Sequence, residues 1–595
     1  MAFNKYFHDE LTAIRELGKE FAQRNPRIAP FLAVEAQDPD VERLLEGFAF
    51  LTGRLRQKLD DELPELTHSV MNLLWPNFLR PIPSMSILQF SPETTLTEAQ
   101  VIKKDVEIDS LPVDGTVCRF RTCYDVPIYP LEIRNLERQD RPSGTSLSLE
   151  VGLTSNTTID ELQIPSLRFF LHGEVHVAQA LYLWFSRYVE SVRVVGIDEI
   201  GQEVPLAVLG QDAVKPVGFS DDESLLPYSR HTFKGYRLIQ EYFSLPEKFH
   251  FIELTGLDVI QQTIAMRDDV EGLQGLKFEF TFSRGLDKHI NPSTENFRLF
   301  CTPIVNLFSH DAKPIRLDHR RTEYRVLPEG ADHRHYETVS IDKVEGWGHE
   351  DHQCREYKQF ESFDHAETIS EAASRMYYRQ RLKSSVSGYG IDSYLAFVND
   401  NEDTVIPQAE SISIELTCSN RHLPTMLGVG DIAIATGGSP EYARFQNITH
   451  VTPSFTPPLD QGFHWRLISN MSLNYMSLCH LDTLKSILST YDYRSYYDRQ
   501  QARASQHRLD GLESIEASSD DRLYQGVPIR GIKTKVKMRE SCFSSEGDMY
   551  IFSSVLNEFF CLYASINSFH HMELTGIENG EIYRWQPRLG QQPVI

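Results

Sequence analysis

Residues 217–257 read Val217-Gly218-Phe219-Ser-Asp-Asp-Glu223-Ser-Leu-Leu226-Pro227-Tyr228-Ser-Arg-His-Thr-Phe233-Lys-Gly235-Tyr236-Arg237-Leu-Ile-Gln-Glu241-Tyr242-Phe243-Ser-Leu-Pro246-Glu-Lys248-Phe249-His-Phe-Ile-Glu-Leu-Thr-Gly-Leu257. The first piece is an acidic turn. Ser220, Asp221 or Asp222 can cap a short helix, because a side-chain oxygen there accepts an orphan backbone N–H, and Leu225-Leu226-Pro227 closes it. From Phe233 to Phe243 the residues Phe233, Tyr236, Ile239 and Phe243 lie three or four apart, which predicts a helix with one largely aromatic face. Pro246 lacks the N–H needed to continue it. Phe249 to Leu254 then alternates apolar and polar, as a half-buried strand does.

The chain has 595 residues, more than one hydrophobic core usually serves, so two to four domains are expected. Its 59 Lys+Arg against 84 Asp+Glu give a formal charge of −25, which repels phosphate backbones and anionic leaflets and argues against nucleic acid as a partner. The eight cysteines are scattered with no CxxC, a pattern that suits free thiols in a reducing compartment. Neither an apolar signal core at the start nor a run of roughly 18–20 apolar residues is present. The expectation is a cytoplasmic protein without membrane insertion.

Working outward, Phe7, Leu11, Ile14, Leu17 and Phe21 recur at helical spacing until Asn25-Pro26. Asp38 and Pro39 then signal a second start, with Val41, Leu44, Leu45, Phe48, Leu51, Leu55 and Leu59 down one side until Pro64, and a shorter helix is expected over Glu65 to Leu74. This apolar stripe exceeds what 75 residues can bury alone, so it should pack on another domain or another protein. After Pro81-Ile82-Pro83 the runs shorten: Ser86 to Phe90, Leu147 to Val151, Val175 to Leu183 and Ser191 to Val195 predict a β-rich middle. Residues 328–372 are polar and read as a surface excursion or joint, 374–383 as helical, Ser411 to Thr417 as a strand, 500–522 as a mobile connection, and Ser553 or Ser554 as the cap of a helix carrying Leu556, Phe559, Phe560, Tyr563 and Ile566. The fold class expected is α+β and multidomain: an N-terminal helical segment at 1–80, a β-rich domain at 84–215, a central α/β region at 216–327, a polar excursion at 328–410 and a C-terminal α+β domain at 411–595.

The quoted stretch, of the form GFxxxExLLPY followed by FxGYRLxQEYFxxPEKFxFxxLxGL, resembles the TssF (VasA or ImpG) family of the type VI secretion baseplate. So do Val41-Glu-Arg-Leu-Leu-Glu-Gly-Phe-Ala-Phe-Leu-Thr, Arg80-Pro-Ile-Pro-Ser-Met, Cys118-Arg-Phe-Arg-Thr-Cys, Leu167-Arg-Phe-Phe-Leu-His-Gly-Glu, Cys301-Thr-Pro-Ile-Val-Asn, Cys418-Ser-Asn-Arg-His-Leu-Pro (Ser419 where the family has Thr) and Trp465-Arg-Leu-Ile-Ser-Asn-Met-Ser-Leu-Asn-Tyr. The resemblance runs from about residue 5 to the C-terminus. It implies a structural wedge subunit, two copies of which join one TssG through their N-terminal helices. It further implies contacts with TssE and TssK around the VgrG spike hub, support for assembly of the contractile sheath and tube, and a place at the cytoplasmic face of the inner membrane through the assembled baseplate. Phe7, Leu11, Ile14, Leu17, Phe21, Val41, Leu44, Leu45, Phe48 and Leu55 become subunit-interface candidates. Gly218, Phe219, Glu223, Leu226, Pro227, Tyr228, Gly235, Tyr236, Arg237, Glu241, Tyr242, Phe243, Pro246, Lys248 and Phe249 become signature residues with a structural role.

Catalytic readings fare worse. Asp221, Asp222, Glu223, Glu241 and Glu247 offer acid/base pairs, but adjacent carboxylates before a helix also suit capping and the helix dipole. Ser229 and His231 stand without a nucleophile elbow. His333, His335, His349, His352 and Cys354 are the densest set of metal-ligand types, and zinc would need about four such ligands held in a tetrahedron, yet they sit among charged residues without a strand-turn frame and read as a solvated loop. Gly428-Val-Gly430-Asp-Ile-Ala433 matches a loose dinucleotide pattern with no clear helix behind it and reads as a turn. No cofactor, metal or catalytic residue is assigned. The alternatives are a baseplate protein of a phage-derived contractile particle and, as the weaker one, a hydrolase using the acidic and histidine clusters.

Overall fold

Strand alternation is clearest in Gly275–Phe282, where Leu276, Phe278, Phe280 and Phe282 are buried and Lys277, Glu279 and Thr281 only half so. That period of two places one face on a core. The strand pairs antiparallel with Gly144–Leu153 on one side and Val189–Ile197 on the other, and Leu131–Arg141 and Glu203–Gly210 complete a five-stranded sheet. A second five-stranded sheet runs Ala443–Asn447, Met85–Pro92, Cys301–Val305, Arg119–Thr122, Glu107–Asp109. A four-stranded one runs Val214–Pro216, Phe251–Thr255, Ser166–Leu171, Phe297–Leu299. The largest, of eight strands, buries Ile412, Ile414 and Leu416 of Glu410–Ser419 with Tyr357 and Leu395. Near the C-terminus the hairpin Leu512–Tyr524 and Val527–Met538 is joined in parallel by Phe569–Gly576. The chain is α+β, as the patterning predicts.

The computed structural model describes residues 7, 8, 10–12, 14, 39–142, 144–228, 232–267, 272–317, 321–330, 332, 334–348, 354–361, 376–385, 390–399, 410–457, 467, 479–524 and 527–590. Its contacts separate Met1–Leu74 with Glu361–His365 from Trp75–Phe360 with Ala366–Ile595.

Several expectations are corrected. A helical segment filling 1–80 is not supported: of residues 1–38 only Phe7, His8, Glu10 to Thr12 and Ile14 are described, and 75–83 is a 3-10 turn followed by extended chain. The helix Pro39–Leu74 runs through Pro64 without the expected break, since one proline removes one ladder bond and the turns beyond it still close. Val175–Leu183 is a helix with Val177 to Leu183 buried; a short run that is apolar all round does not tell a buried helix from a buried strand. Met376–Ser384 is a strand paired with Ile391–Asn399. The polar stretch after 328 supplies ladder strands, Glu337–Gly348 and Cys354–Gln359. Residues 500–522 are ordered as the helix Arg499–Asp510, capped by Asp498 accepting from Gln500 N at 2.8 Å, and the start of Leu512–Tyr524. The C-terminal helix begins eight residues early, at Glu546, with Ser545 as its cap, so Ser553 and Ser554 sit inside it and donate to Met549 O and Tyr550 O.

Candidate functional site

The quoted stretch folds as a 3-10 turn Asp221–Glu223, a helix Lys234–Ser244, a second 3-10 turn Pro246–Phe249 and the strand Phe251–Thr255. The strand starts two residues later than expected because Phe249 closes the turn. Gly218 has φ +105, a region a side chain resists, and a Cβ there would stand 2.9 Å from Lys248 O. Glu223 reaches back to accept from the N–H of Gly218 at 2.7 Å and of Ser220 at 3.2 Å, and Arg168 lies 3.4 Å from its other oxygen. The acidic turn therefore holds itself together.

Glu241 is the centre of the stretch. It is fully buried; one carboxylate oxygen accepts from Leu225 N–H at 2.8 Å and Leu226 N–H at 3.0 Å, and the other meets the equally buried Lys248 ammonium. Arg237 Nε lies 3.9 Å away, and Arg237 also donates to Asp221 at 3.0 Å, which Lys234 pairs as well. Buried charge is tolerable only when paired and hydrogen-bonded, and each of these acids is engaged in that way. Glu247, which stands apart from the network, is a carboxyl whose pKa burial raises.

The helix's aromatic face carries the packing. Tyr236 meets Trp75 at 5.5 Å, Phe78 at 6.1 Å, Phe233 at 5.2 Å, Tyr491 at 4.5 Å and Phe559 at 5.7 Å between ring centroids. Its hydroxyl is 2.7 Å from that of Tyr563. Tyr242 packs on Phe249 and Phe552, and Phe219 on Phe249. Tyr228 donates to Gln240 Oε1 at 2.7 Å. Gly235 is small for a reason: a Cβ there would lie 2.8 Å from the ring of Phe559. Rings from near residues 75, 236, 491 and 559 thus share one cluster, at geometries that add attraction beyond area burial.

Two other motifs turn out to be partners. Asn306, ending the Cys301 motif, and Asn420, inside the Cys418 motif, are both fully buried. Asn306 Nδ2 donates to Arg119 O at 2.7 Å and Asn420 Oδ1 at 2.8 Å, while Asn420 N donates to Asn306 Oδ1 at 2.6 Å. Arg119 belongs to the Cys118 motif, so three separated motifs meet in one amide clasp. The spacing along the chain could not show this, although all three residues lie within motifs already singled out. Asn306→Ala is expected to lower the unfolding free energy by about 3 kcal/mol, because several buried polar groups lose their partners at once. An unchanged urea midpoint would show that the clasp contributes nothing.

The catalytic candidates do not converge. Ser229, His231, His333, His349 and His352 lie outside the described residues; His335 faces Thr116 at 2.8 Å, and Cys354 is exposed on a strand. No group of three metal-binding side chains forms among the described residues. At Gly428 to Ala433 the chain turns: Gly430 and Ile432 N–H donate to Asn447 Oδ1 at 3.0 Å. Cys561 and His570, 3.5 Å apart, resemble a nucleophile and base, but burial pushes the thiol up to about 12 and the imidazole down to about 3. Both are neutral near pH 7, the reverse of an activated thiolate pair.

The family model for "Type VI secretion system, TssF" matches residues 1–592. The chain belongs to the TssF family. It is 29% identical over 632 aligned residues, covering 99% of both chains, to type VI secretion system component TssF1 of Pseudomonas aeruginosa. Among solved structures it is similar to a chain of the type VI secretion system TssK-TssF-TssG baseplate subcomplex (TM-score 0.77, 28% identity, 93% of this chain and 99% of that one). It is also similar to a chain of the baseplate complex from the type VI secretion system (TM-score 0.63, 25% identity, all of both chains). As a member of the TssF family the chain is a baseplate component of that system, and the glutamate-centred core and the amide clasp are the inside of its TssF fold.

The interface candidates divide. Leu17 and Phe21 lie outside the described residues; Phe7 and Ile14 are half-buried and Leu11 is buried. Val41 and Leu55 lie on the helix Pro39–Leu74. On that helix Leu45 is half-buried and Ala49 buried, while Leu44, Phe48 and Leu51 face outward. The single stripe read from spacing is therefore two faces of one TssF-family helix. Among the described residues no helix is long and apolar enough to cross a membrane.

Proposed function

We propose that this chain is a non-catalytic wedge subunit whose N-terminal segment, residues 1–80, bundles with TssG and a second copy of the chain. The observation that carries the reading is the outward apolar row on Pro39–Leu74: Leu44, Phe48 and Leu51, spaced four and three residues apart, are 73%, 59% and 66% exposed. Three large apolar side chains in one helical row are what a bundle partner buries. TssK, TssE and the VgrG hub complete the set of partners. Assembly places the chain at the cytoplasmic face of the inner membrane, where it supports formation of the sheath and tube. Obligate interfaces of this kind bury on the order of 2,000–5,000 Å², and rearranging them between one ring geometry and another is the mechanical step expected of such a subunit.

The test is co-expression with a TssG homologue. The unaltered chain is expected to form a stable complex at a ratio of about 2:1, and Phe48→Asp combined with Leu51→Asp to abolish it while the melting curve of the isolated chain stays in place. A complex retained by that double variant would remove the helix from the interface, and no complex with the unaltered chain would defeat the wedge reading.

A further inference from the structure

The strand Leu512–Tyr524 ends its sheet, with Val527–Met538 on one side and no strand on the other. Among the described residues no backbone hydrogen bond reaches its far side from elsewhere in the chain. The strand is 13 residues long, about 44 Å at 3.4 Å per residue. It contains no proline, and its pairing is irregular only at the base, between Leu512 and Ser514. Natural sheets shorten, bulge or cover such edges, because their unpaired N–H and C=O groups accept another strand. The outer half is barer still. The parallel ladder of Val527–Met538 with Phe569–Gly576 starts at Ile532, whose partner on the edge strand is Ser519. Residues 520–524 and 527–531 therefore pair only with each other, a two-stranded ribbon of a kind that is marginal in water by itself, and Leu523 on it is 77% exposed. The strand carries Glu513, Glu516, Asp520 and Asp521 against the single Arg522. Glu513 meets Arg539, and Asp520 meets Arg522 at 2.9 Å; Glu516 and Asp521 point acidic side chains into solvent.

We infer that this edge accepts an extended basic segment of another protein by strand addition. Successive side chains alternate between the faces of a strand, so Ser514, Glu516, Ser518 and Asp520 share one face and Ile515, Ala517 and Ser519 the other. The added segment carries lysine or arginine on the face of Glu516 and Asp520, and small or β-branched residues on the face of Ile515 and Ala517. Main-chain hydrogen bonds hold such a strand and its alternating side chains select it. Lys535 stands opposite Glu516 on the inner side, about twice as far from the added strand as Glu516 itself, so the carboxylate sets the sign of the attraction. Opposite charges across a strand pair stabilise it and like charges weaken it. The same acids therefore turn away the edge of a second copy, which would bring four carboxylates of its own, and admit a basic strand.

The probe is the end-blocked peptide Thr-Lys-Val-Lys-Val-Lys-Thr, compared with its counterpart carrying glutamate for lysine and with a form N-methylated along its backbone. Each is titrated into the full-length chain and followed by calorimetry and by amide hydrogen exchange of residues 513–524. The lysine peptide is expected to bind about tenfold more tightly than the glutamate peptide, or better, and to slow exchange in that strand. The methylated form keeps the charges, loses the donors and should not bind. Glu516→Lys combined with Asp521→Lys should reverse the preference between the lysine and glutamate peptides. Equal binding of those two, or no binding of the lysine peptide, overturns the proposal. Retained binding of the methylated peptide overturns it as well, since charge attraction without a ladder would then suffice. Exchange that slows as the concentration of the unaltered chain rises, with no peptide present, gives the edge to a second copy and is equally fatal. If the double variant melts early, the three peptides on the unaltered chain decide. Each outcome stands whether or not the wedge reading holds.

Discussion

Replacing Glu241 by alanine is expected to lower the unfolding free energy by about 3–5 kcal/mol, the cost of leaving a buried charge without its partner. The argument rests on complete burial. Lys248 is 1% exposed and has no route to water, and the amides of Leu225 and Leu226 lose their shared acceptor. Lys248→Met alone should cost less, because Glu241 keeps both amides and the nearby Arg237. The diagnostic variant is the pair Glu241→Gln with Lys248→Met: the amide oxygen still accepts from residues 225 and 226, no charge remains to be stranded, and stability should return to within about 1–2 kcal/mol of the parent. Denaturant unfolding measures all three. If the double variant were as damaged as Glu241→Ala, the ion pair would not be the source of the loss.

Tyr236→Ala is the second large effect, a loss of about 3–5 kcal/mol by the large-to-small rule for buried aromatics. Six rings lie around this side chain, contributed by segments near residues 75, 233, 491 and 559. Tyr236→Phe separates packing from polarity. It keeps every ring contact and gives up the contacts of the hydroxyl, with Tyr563 at 2.7 Å and with Tyr491, so its cost should be about 1–2 kcal/mol. A thermal melt in which both variants match the parent would dismiss the aromatic cluster as a source of stability.

Local period was enough to read the strand at Ser411 to Thr417, where Ile412, Ile414 and Leu416 are buried and Ser413 and Glu415 exposed, while the helix at 234–244 was read from its aromatic spacing although Gly235 to Ser244 are all buried. Where neither signal is present the reading failed. Val175–Leu183 is apolar on nearly every side, and Met376–Ser384 and Leu512–Tyr524 are polar strands whose ladder partners, not their own side chains, hold them extended. Pairing is a property of two segments, so the meeting of Asn306 with Asn420, or of Met85–Pro92 with Ala443–Asn447, leaves no trace in either segment alone. The Glu241–Lys248 pair was visible only as two residues of a motif. Their burial separates a structural carboxylate from a catalytic one, and it comes from tertiary packing such as the Phe249 ring, over which the Lys248 ammonium lies at 5.3 Å.

The sheet centred on Met85–Pro92 also imposes an order on synthesis. Ser86 donates to Thr449 O, 363 residues further along the chain, and Ala443–Asn447 covers the strand's free edge. At about 5–20 residues per second a ribosome needs roughly 20 to 70 s to deliver that cover. Throughout that interval the nascent chain presents an open ladder with Ile87, Leu88 and Phe90 beside it. An uncapped edge of this kind recruits other strands, so a polypeptide built this way has reason to be made where chaperones, or the subunits it will join, are already at hand.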